Sequence, residues 1–547
     1  DGTSKNPSIY TRDIIDRALG VQNIYKSFIE NMDQLVADGK INSWQSYAYD
    51  WRQSVDDIIN NGTKYQEGSK SLINTLQTLA NDSKNGKVTV VAHSNGGLLA
   101  KALLKKLEAD KAAGLNNLID NVDVLILVAV PEIGTAKTIP VVLHGYDQRI
   151  LGGLIMDEMH ARELGKNMPS AFGLLPSDEY INRVSASPIT FKDTLLPSGV
   201  TTTMVQTFGS AINSYSEYKD FLFGAEGRSN PAIEQINLPI VLSENLFAQA
   251  ESLHNDVDSW TPPDNLRVIE VAGWGLDTLA SFEYYPVCES NATLNCTWTM
   301  DQSPVFTTEG DGTVVGPSAH YMGAEGNAER YWIDLPSFNK YHNKNYKHKN
   351  ILEVTKLNDL IELVVKNEEI VFDNFLKNSK PLDISDRLRL SIHSPVTIDA
   401  YDAEGNHIGK VCPLDSDFCY AEENILNSSY LEFGEGKYIN LPEEEMSKVK
   451  LQGTDVGTFT YESEKVLPDG TSTVSSFVDI PVTTQTQAEI TLNESTQDPE
   501  LKLDVTGDGV PDFTITPSDN FDPILYLQIV KATINSLDLP PAKKIAF

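Results

Sequence analysis

The sequence predicts an α/β protein whose mostly parallel sheet has helices on both faces, followed by an all-β sandwich. Up to residue 378, strand-like apolar runs alternate with amphipathic helix-like runs, which is the pattern of a doubly wound sheet. Residues 123–130 are almost continuously apolar, as strands buried on both faces of a parallel sheet are. After residue 378 the β-prone segments are short and separated by turn residues, which indicates antiparallel strands.

Each element of the α/β part follows from the spacing of its apolar residues. Apolar residues three and four positions apart predict helices, whereas runs of β-branched residues predict strands. The predicted elements are, in order, helix 24–36, the extended segment 43–49, helix 65–79, strand 87–92, helix 97–107, strands 123–130, 266–272 and 331–335, and helix 351–365.

Residues 138–261 interrupt this alternation because they contain no clean strand. We expect them to form a cap over the carboxyl edge of the sheet, where folds of this class bind ligands. A separately folded domain with no role at the site is the alternative. The α/β core then comprises residues 1–137 and 262–378.

Residues 379–547 form the predicted β-sandwich, which ends in a helix over residues 523–537 and a tail. Residues 381–547 hold 29 acidic and 11 basic side chains, so less than a third of the chain carries more than half of its formal charge of −34. The predicted strands span residues 388–392, 396–401, 437–441, 457–461, 473–480 and 488–492.

The composition argues against two kinds of partner. With 43 basic and 77 acidic residues, the chain lacks the excess of cations that nucleic-acid binding requires. No run approaches the roughly 18 apolar residues of a membrane-spanning helix, so we expect no transmembrane segment.

The four cysteines fall in two close pairs, Cys288 with Cys296 and Cys412 with Cys419. Their proximity predicts two local disulfides, which form in oxidising compartments, and hence an extracellular protein. Free thiols are one alternative. A metal site is another, although the spacing is not the close C-x-x-C of structural zinc sites.

Residues 90–97 (V-V-A-H-S-N-G-G) lie between a predicted strand and a predicted helix. A serine at such a turn, with small residues such as Ala92 and Gly96 two positions to either side, is typical of a nucleophile elbow, in which the hydroxyl is exposed on a strained turn. Ser94 is therefore the candidate nucleophile, and the backbone N–H of Asn95 is a candidate oxyanion donor. An ordinary serine at a helix start is the alternative.

A serine nucleophile needs an orienting acid and a base, which follow it in that order in this fold. Asp311, which lies between two glycines, is the candidate acid, with a plain β-turn or a Ca²⁺ loop as the alternative. His348 is the candidate base because it precedes the predicted helix 351–365. His342 is its rival, and spacing alone does not decide between them.

Several motifs resemble, in the correct order, those of the lecithin:cholesterol acyltransferase-like branch of α/β-hydrolase lipases. The resemblance spans roughly residues 20–365 and implies an α/β-hydrolase fold with Ser94 as nucleophile, Asp311 as acid and His348 as base. The matching segments are Y-D-W-R at 49–52, H-S-N-G-G at 93–97, P-E-I-G-T at 131–135, S-A-F-G-L-L-P at 170–176, G-W-G-L-D-T at 273–278, G-D-G-T-V at 310–314 and H-K-N-I-L at 348–352.

One feature of that family has no counterpart in the sequence. The glycine-rich loop that supplies an oxyanion donor follows an early strand in the family, and residues 1–23 contain neither. We therefore expect the first strands of the sheet to be missing from residues 1–137, and an additional N-terminal chain or segment to complete the sheet. The second oxyanion donor is then outside this chain or unidentified.

The predicted function is that of a secreted serine carboxylester hydrolase, a lipase or esterase, that acts on an ester or lipid through an acyl-enzyme. We expect His93, Trp274, Phe172, Leu174 and Leu175 to bind the substrate. An acyltransferase or an amidase would use the same triad, and a non-catalytic hydrolase-fold protein that binds a surface or a glycan is a further alternative.

No cofactor is required for this chemistry, although residues 504–515 resemble the start of a Ca²⁺ loop. Asp504, Thr506, Asp508 and Asp512 supply oxygens at the expected positions, but Ile515 stands where a bidentate acidic ligand belongs. We expect a weak structural Ca²⁺ site here, with a turn-rich hairpin as the alternative.

Overall fold

The chain divides into two compact units in a computed structural model. The N-terminal unit comprises Asp1–Gly152, Met156–His342 and Tyr346–Pro381, and the C-terminal unit comprises Gly153–Ile155, Asn343–Asn345 and Leu382–Phe547. Across the described part of the chain, no helix is long and apolar enough to cross a membrane. The structure describes residues 6, 8–18, 22–147, 149–150, 154–192, 203–288, 298–322, 328–382, 385–393, 395–413, 419–491, 499–517 and 522–537.

The N-terminal unit is built on a five-stranded sheet in which four strands run parallel and the fifth is antiparallel. This confirms the predicted mostly parallel sheet. β1 lies at one edge, since among the described residues it pairs with β2 alone. The strands, which lie side by side in chain order, are β1 (Val88–His93), β2 (Val122–Val128), β3 (Arg267–Trp274), β4 (Ala328–Asp334) and β5 (Leu376–Lys377).

Helices cover both faces of this sheet because successive side chains of each strand point to opposite faces. Val90 and Leu125 pack against one helix layer, whereas Val91 and Ile126 pack against the other. The first layer consists of helices Val55–Asn61, Leu72–Asp82, Gly96–Ala112 and Glu244–Val257, and the second of helices Lys26–Ala37, Leu335–His342 and Thr355–Val365.

The predicted helix 65–79 begins later in the structure, at Leu72. Thr63–Tyr65 and Gly68–Lys70 form a hairpin instead, and Gly68 has a φ of +126°, a conformation that favours glycine. The helix starts where Ser71 caps it, since the Ser71 hydroxyl accepts a hydrogen bond from the Asn74 N–H (3.3 Å). The predicted extended segment 43–49 forms no regular strand.

A second sheet in the N-terminal unit has no counterpart among the predicted elements. Its strands, in spatial order, are Trp298–Thr307, Thr278–Cys288 and Ile189–Phe191. The other described elements are short strands and helices: Arg17–Ala18 with Gln22–Asn23, Leu118–Asn121, Thr138–His144, Arg149–Ile150, Glu158–Gly165, Pro169–Phe172, Asp178–Arg183, Thr203–Phe208, Tyr215–Leu222, Gly316–Ala319 and His348–Glu353.

Two antiparallel sheets enclose one apolar core in the C-terminal unit, which confirms the predicted β-sandwich. Alternate residues of each strand, such as Leu390 and Ile392 in one sheet and Ile398 in the other, enter this core, as does Ile529 of helix Pro523–Ser536. One sheet contains, in spatial order, strands Ser429–Phe433, Gly436–Pro442, Arg387–His393, Gly457–Val466 and Ser472–Val482. The other contains, in spatial order, strands Phe513–Ile515, Glu500–Asp504, Gln487–Thr491, Lys448–Gly453, Val396–Tyr401, His407–Val411, Tyr420–Glu423 and Leu154–Ile155. Glu443–Glu445 is a 3₁₀ turn.

One of the two predicted disulfides is present. Cys412 and Cys419 are bonded to each other in the C-terminal unit, which confirms the pairing inferred from proximity. The other predicted pair cannot be compared, because Cys296 lies outside the described residues.

Candidate active site

Ser94 follows β1 directly and precedes helix Gly96–Ala112. Its φ of +54° lies in the left-handed region, which costs a non-glycine residue about 1–3 kcal/mol and is common at functional turns. The Ser94 N–H donates to the carbonyl of Val128 in β2 (3.1 Å), and the Gly97 N–H donates to the Ser94 carbonyl (2.9 Å). These bonds hold the sharp turn at the carboxyl end of the sheet, where Ser94 is partly exposed.

The close approach of strand and helix at this turn depends on Gly97. A Cβ atom on Gly97 would overlap the side chain of Val130, whereas a Cβ atom on Gly96 would lie 3.9 Å from its nearest neighbour, the hydroxyl of Tyr49. The sequence pattern assigned this steric role to Ala92 and Gly96. The glycine that the packing requires is one position further along.

The structure brings Ser94, His348 and Asp311 together in one hydrogen-bonded chain. His348 Nδ1 lies 2.8 Å from Asp311 Oδ2, and His348 Nε2 lies 2.8 Å from Ser94 Oγ. Because a carboxylate accepts only, Nδ1 carries the proton, and Nε2 is left to accept the hydrogen bond of the serine hydroxyl. Asp311 is 1% exposed and His348 is 8% exposed, so both the acid and the base are largely shielded from water.

The carboxylate of Asp311 is fixed by its own loop. Its Oδ1 accepts hydrogen bonds from the backbone N–H groups of Thr313 (3.0 Å) and Val314 (2.8 Å), which leaves Oδ2 for His348. The His348 N–H also donates to the Asp311 carbonyl (2.9 Å). Gly273 at the end of β3 makes room for this loop, since a Cβ atom there would lie 2.6 Å from the Asp311 Cβ.

Two other histidines downstream of the acid in the N-terminal unit lie elsewhere. His342 is exposed at the end of helix Leu335–His342, with its ring 4.2 Å from that of Phe338. His320 donates from Nε2 to the carbonyl of Tyr331 (3.0 Å), and burial lowers its pKa to about 4. Neither of them belongs to the hydrogen-bonded chain of Ser94, His348 and Asp311, so His348 is the candidate base that contacts Ser94.

The Asn95 backbone is a candidate oxyanion donor, because its N–H meets no acceptor among the described residues. The Asn95 side chain bonds the hydroxyl of Tyr49, whose pKa is raised by burial. Tyr49 begins the Y-D-W-R motif, in which Arg52 also pairs with Asp50 through two hydrogen bonds of 2.7 and 2.8 Å. This motif therefore contacts the turn at Ser94 through Asn95. A second oxyanion donor is not assigned.

The predicted substrate-binding residues of segment 170–176 are tied to the acid loop. Phe172 and Leu175 are buried, and Leu174 packs on the first helix layer. The Leu174 carbonyl accepts a hydrogen bond from the Thr135 N–H (2.9 Å), and the Thr135 hydroxyl donates to the Thr313 carbonyl (2.7 Å). Contact of these residues with substrate stays a prediction.

Trp274 lies at the carboxyl end of β3 and is 5% exposed. Within the described part of the chain, its indole N–H has no hydrogen-bond acceptor. Its predicted role in substrate binding also stays a prediction.

Contact of His93 with substrate, like that of Phe172 and Trp274, stays a prediction. The His93 Nδ1 lies 2.8 Å from the hydroxyl of Tyr25 and its Nε2 lies 3.0 Å from the carbonyl of His348. The ring is thus engaged by the protein on both sides. Sequence reasoning missed Tyr25 altogether, because no motif connects two residues that are 68 positions apart.

A set of buried charges lies beside the elbow helix. Lys101 Nζ is 2.8 Å from Glu132 Oε2, and both side chains are fully buried. Glu270, also fully buried, accepts a hydrogen bond from Arg330 (2.8 Å), and burial together with the nearby Glu132 raises its pKa well above the usual range. Glu132 belongs to the P-E-I-G-T motif, so this motif contributes a buried ion pair rather than a catalytic group.

The predicted Ca²⁺ ligands face backbone N–H groups. Asp504 accepts hydrogen bonds from the N–H groups of Thr506, Gly507 and Gly509, and Asp512 accepts one from Val505. A cation would have to displace these donors. Among the described residues, no cluster of three or more His, Cys, Asp or Glu side chains could hold a metal ion; binding of Ca²⁺ stays a prediction.

Comparison with known proteins gives one family match. The sequence model of the lecithin:cholesterol acyltransferase family matches residues 13–353. No curated protein matches significantly.

Three solved structures are similar over larger or smaller parts of the chain. A chain of the Tle4–Tli4 complex is 16% identical, with 58% of this chain and 66% of that chain covered and a TM-score of 0.35. The lipase BlEst2 of Bacillus licheniformis in its propeptide form is 10% identical (77% and 83% covered, TM-score 0.26), and the phospholipase PlaB from Legionella pneumophila is 10% identical (81% and 83% covered, TM-score 0.20). Similarity at these TM-scores adds no weight to the family match.

Proposed function

The chain belongs to the lecithin:cholesterol acyltransferase family, and we propose that it is a serine carboxylester hydrolase that cleaves lipid esters through an acyl-enzyme on Ser94. The observation that carries this proposal is the hydrogen-bonded chain from Ser94 through His348 to Asp311, with 2.8 Å at each step. Such a chain supplies a nucleophile, a base of fixed orientation and a buried acid.

In the proposed reaction Ser94 Oγ forms a bond to the ester carbonyl carbon while its proton passes to His348 Nε2. The oxyanion that develops is stabilised by the Asn95 N–H, and the imidazolium by Asp311. The ester C–O bond then breaks, and the proton moves from His348 to the departing alcohol. Water repeats the sequence on the acyl-enzyme and releases a carboxylic acid and free Ser94.

The family match also supports acyl transfer as a second outcome of the same chemistry. An alcohol that reaches the acyl-enzyme before water does would accept the acyl group and form a new ester. Adding glycerol or a sterol to the assay distinguishes the two outcomes, because transfer yields the corresponding ester in place of free fatty acid.

The central test compares the wild type with Ser94→Ala on p-nitrophenyl esters of graded chain length, with Ser69→Ala as an exposed control on the hairpin Gly68–Lys70. We expect turnover to fall at least 10³-fold in Ser94→Ala and to stay unchanged in the control. A fluorophosphonate probe, which forms an O–P bond to the serine with loss of fluoride, should label the wild type and leave Ser94→Ala unlabelled. Undiminished turnover in Ser94→Ala would contradict the proposal. An unlabelled, inactive wild type would instead favour a non-catalytic binding protein.

We also propose that a further polypeptide segment, such as an additional N-terminal chain, completes the sheet beside β1. Among the described residues the outer edge of β1 has no partner strand, and it lines a groove of about 630 Å³, which supports this proposal. The groove runs between the two helix layers, with Phe28 and Met32 from one layer and Leu76 and Leu99 from the other. A strand with apolar side chains on both faces would pair with β1 and fill this space.

Hydrogen exchange tests this second proposal. The outward-facing amides of β1 should exchange faster than those of β2 in the present chain, and a synthetic apolar peptide with flanking lysines should slow them. Equal protection of β1 and β2 without the peptide would contradict the proposed open edge.

The disulfide between Cys412 and Cys419 supports an extracellular location, because such bonds persist in oxidising compartments. Secretion follows as a proposal, and detection of the protein in the culture medium of its source tests it.

A further inference from the structure

Tyr25 and His93 form a short hydrogen-bonded relay that ends on the main chain of the triad histidine. The His348 carbonyl can only accept, so the proton of the His93 ring must be on Nε2, which is 3.0 Å away. Nδ1 of His93 is then the acceptor, and the Tyr25 hydroxyl donates to it (2.8 Å). The direction of every bond in the relay is therefore fixed, from Tyr25 through His93 to His348.

The relay is uncharged at neutral pH. Burial, together with the neighbouring His348, lowers the pKa of His93 to about 3. Burial also raises the pKa of Tyr25 to about 12. The rings of His93 and His348 are only 5.0 Å apart, so a cation at position 93 would oppose the positive charge that His348 acquires during the reaction.

Both backbone groups of His348 are engaged, each by a different part of the proposed active site. Its N–H donates to the carbonyl of Asp311 (2.9 Å), and its carbonyl accepts from His93, the residue directly before Ser94. The main chain of the base is thus bonded to the acid on one side and to the nucleophile strand on the other.

We propose that His93, oriented by Tyr25, is a positioning residue that sets the distance between His348 and Ser94 through the His348 carbonyl. This inference rests on the proposed function, since it assigns His93 a part in the reaction of Ser94. His93 touches no reacting atom and acts through His348. The relay matters because a displacement of about 1 Å in a reacting group can cost about 10²-fold in rate.

The start of helix Lys26–Ala37 supports the same stretch at its other end. The carboxylate of Glu353 accepts hydrogen bonds from the N–H (2.8 Å) and the hydroxyl (2.7 Å) of Ser27. His348–Glu353 is a 3₁₀ segment broken at Asn350, whose φ of −130° is not helical. Tyr25, through His93, and Ser27 therefore support the two ends of a segment whose own backbone is irregular.

The test measures kcat and KM for ester hydrolysis in His93→Leu, His93→Gln and Tyr25→Phe. In His93→Leu we expect kcat to fall by about 10–100-fold with KM within about twofold of the wild type. His93→Gln keeps an N–H donor near the position of Nε2 and should recover most of kcat. Tyr25→Phe removes the orienting donor alone and should lower kcat by about 3–10-fold.

Matched controls separate positioning from general damage. His144→Leu removes another buried histidine, which bonds the Ile236 carbonyl and the Tyr284 hydroxyl, and Tyr47→Phe removes a hydroxyl that donates to the Lys70 carbonyl. Both should leave kcat unchanged, whatever they do to the melting temperature.

Two results would overturn the inference while the wild type is active. One is an unchanged kcat in His93→Leu, and the other is an equal loss in His93→Leu and His93→Gln, which would mean that the ring only fills space. A wild type without Ser94-dependent turnover would instead overturn the proposed function, and the positioning role with it.

Discussion

Two buried carboxylates of the N-terminal unit, Glu132 and Asp311, face basic side chains, whereas two buried carboxylates of the C-terminal unit, Asp402 and Asp504, face N–H groups of their own turns. In the N-terminal unit, Glu132 pairs with Lys101 and Asp311 with His348. In the C-terminal unit, Asp402 accepts from the N–H and the side-chain amide of Asn406, and Asp504 likewise closes its own turn.

The two kinds of carboxylate have different physical effects. A carboxylate that caps a turn stabilises a loop and has no proton to exchange with a partner, whereas one that faces a histidine or a lysine controls the charge of that partner. The N-terminal unit carries the proposed reactive groups, whereas Asp402 and Asp504 of the C-terminal unit cap turns. The following predictions test this contrast in order of expected effect.

The largest effect should come from Asp311→Asn. An amide at this position favours the wrong proton arrangement on His348, so we expect kcat to fall by about 10⁴-fold with KM little changed. The matched variant Asp402→Asn, at a buried aspartate of the C-terminal unit, should leave kcat unchanged. Steady-state kinetics on one ester measures both. A comparable loss of kcat in both variants would contradict the proposed difference between the two units.

The next effect concerns stability. Lys101→Met leaves Glu132 buried without a counter-ion, which should lower the free energy of unfolding of the N-terminal unit by about 3–5 kcal/mol. Lys410→Met breaks a partly exposed pair with Glu432 in the C-terminal unit and should cost about 0–1 kcal/mol.

Urea unfolding followed by hydrogen exchange resolves the two units in this experiment. The double variant Lys101→Met/Glu132→Leu should regain most of the loss, because it removes both charges together. If the double variant is no more stable than the single one, the buried charge is not the cause.

A third prediction addresses the core of the sandwich. Ile398→Ala deletes a buried side chain between the two sheets and should destabilise the C-terminal unit by about 2–4 kcal/mol, with kcat unchanged below the new unfolding temperature. The melting temperature and kcat of the same sample measure the two effects. A fall in kcat at a temperature where the protein is folded would assign the sandwich a part in the chemistry.

The smallest effect for a single group is a difference in acid sensitivity. Burial lowers the pKa of His93 and His144 to about 3 and that of His320 to about 4, from 6.5, so the unfolded chain binds more protons below pH 6.5. The stability that depends on these neutral rings is complete above pH 6.5 and is lost as the pH falls. At pH 5 each should cost the N-terminal unit on the order of 1–2 kcal/mol.

The C-terminal unit should respond less to the same change. Hydrogen bonds to Asp399 and Glu422 raise the pKa of His407, so its contribution is present below pH 6.5 and is lost as the pH rises. His393, whose pKa is lowered by burial, acts in the opposite direction and offsets it. Chemical unfolding at pH 7 and pH 5 tests this, and an equal loss in both units would contradict it.

The parts of the fold that were predictable from sequence are those set by local patterns. The apolar runs of β1 and β2 and the turn chemistry around Ser94 depend on residues within a few positions of one another. The hairpin before Leu72 was missed because a helical spacing of apolar residues outweighed the turn at Gly68. The three-stranded sheet was missed because Ile189–Phe191 pairs with a strand almost a hundred positions away.

The candidate site divides in the same way. Motif order pointed to Ser94, Asp311 and His348, yet the proposed role of His93 depends on Tyr25 and on a main-chain carbonyl, neither of which a side-chain pattern records. Position 97 is a similar case. It requires glycine because a Cβ atom there would overlap the side chain of Val130, which follows β2. Contacts that join distant segments through the backbone leave little trace in a single sequence.

The edge of β1 that lacks a partner strand among the described residues has a consequence for how molecules of this protein meet in solution. An unpaired strand edge among apolar side chains is a template for a strand of a second copy. The formal charge of −34 opposes such encounters, but its reach falls from about 30 Å at 0.01 M salt to about 10 Å at 0.1 M. The chain should therefore stay dispersed at low ionic strength and self-associate as salt is added, which makes salt concentration the first condition to control when it is purified.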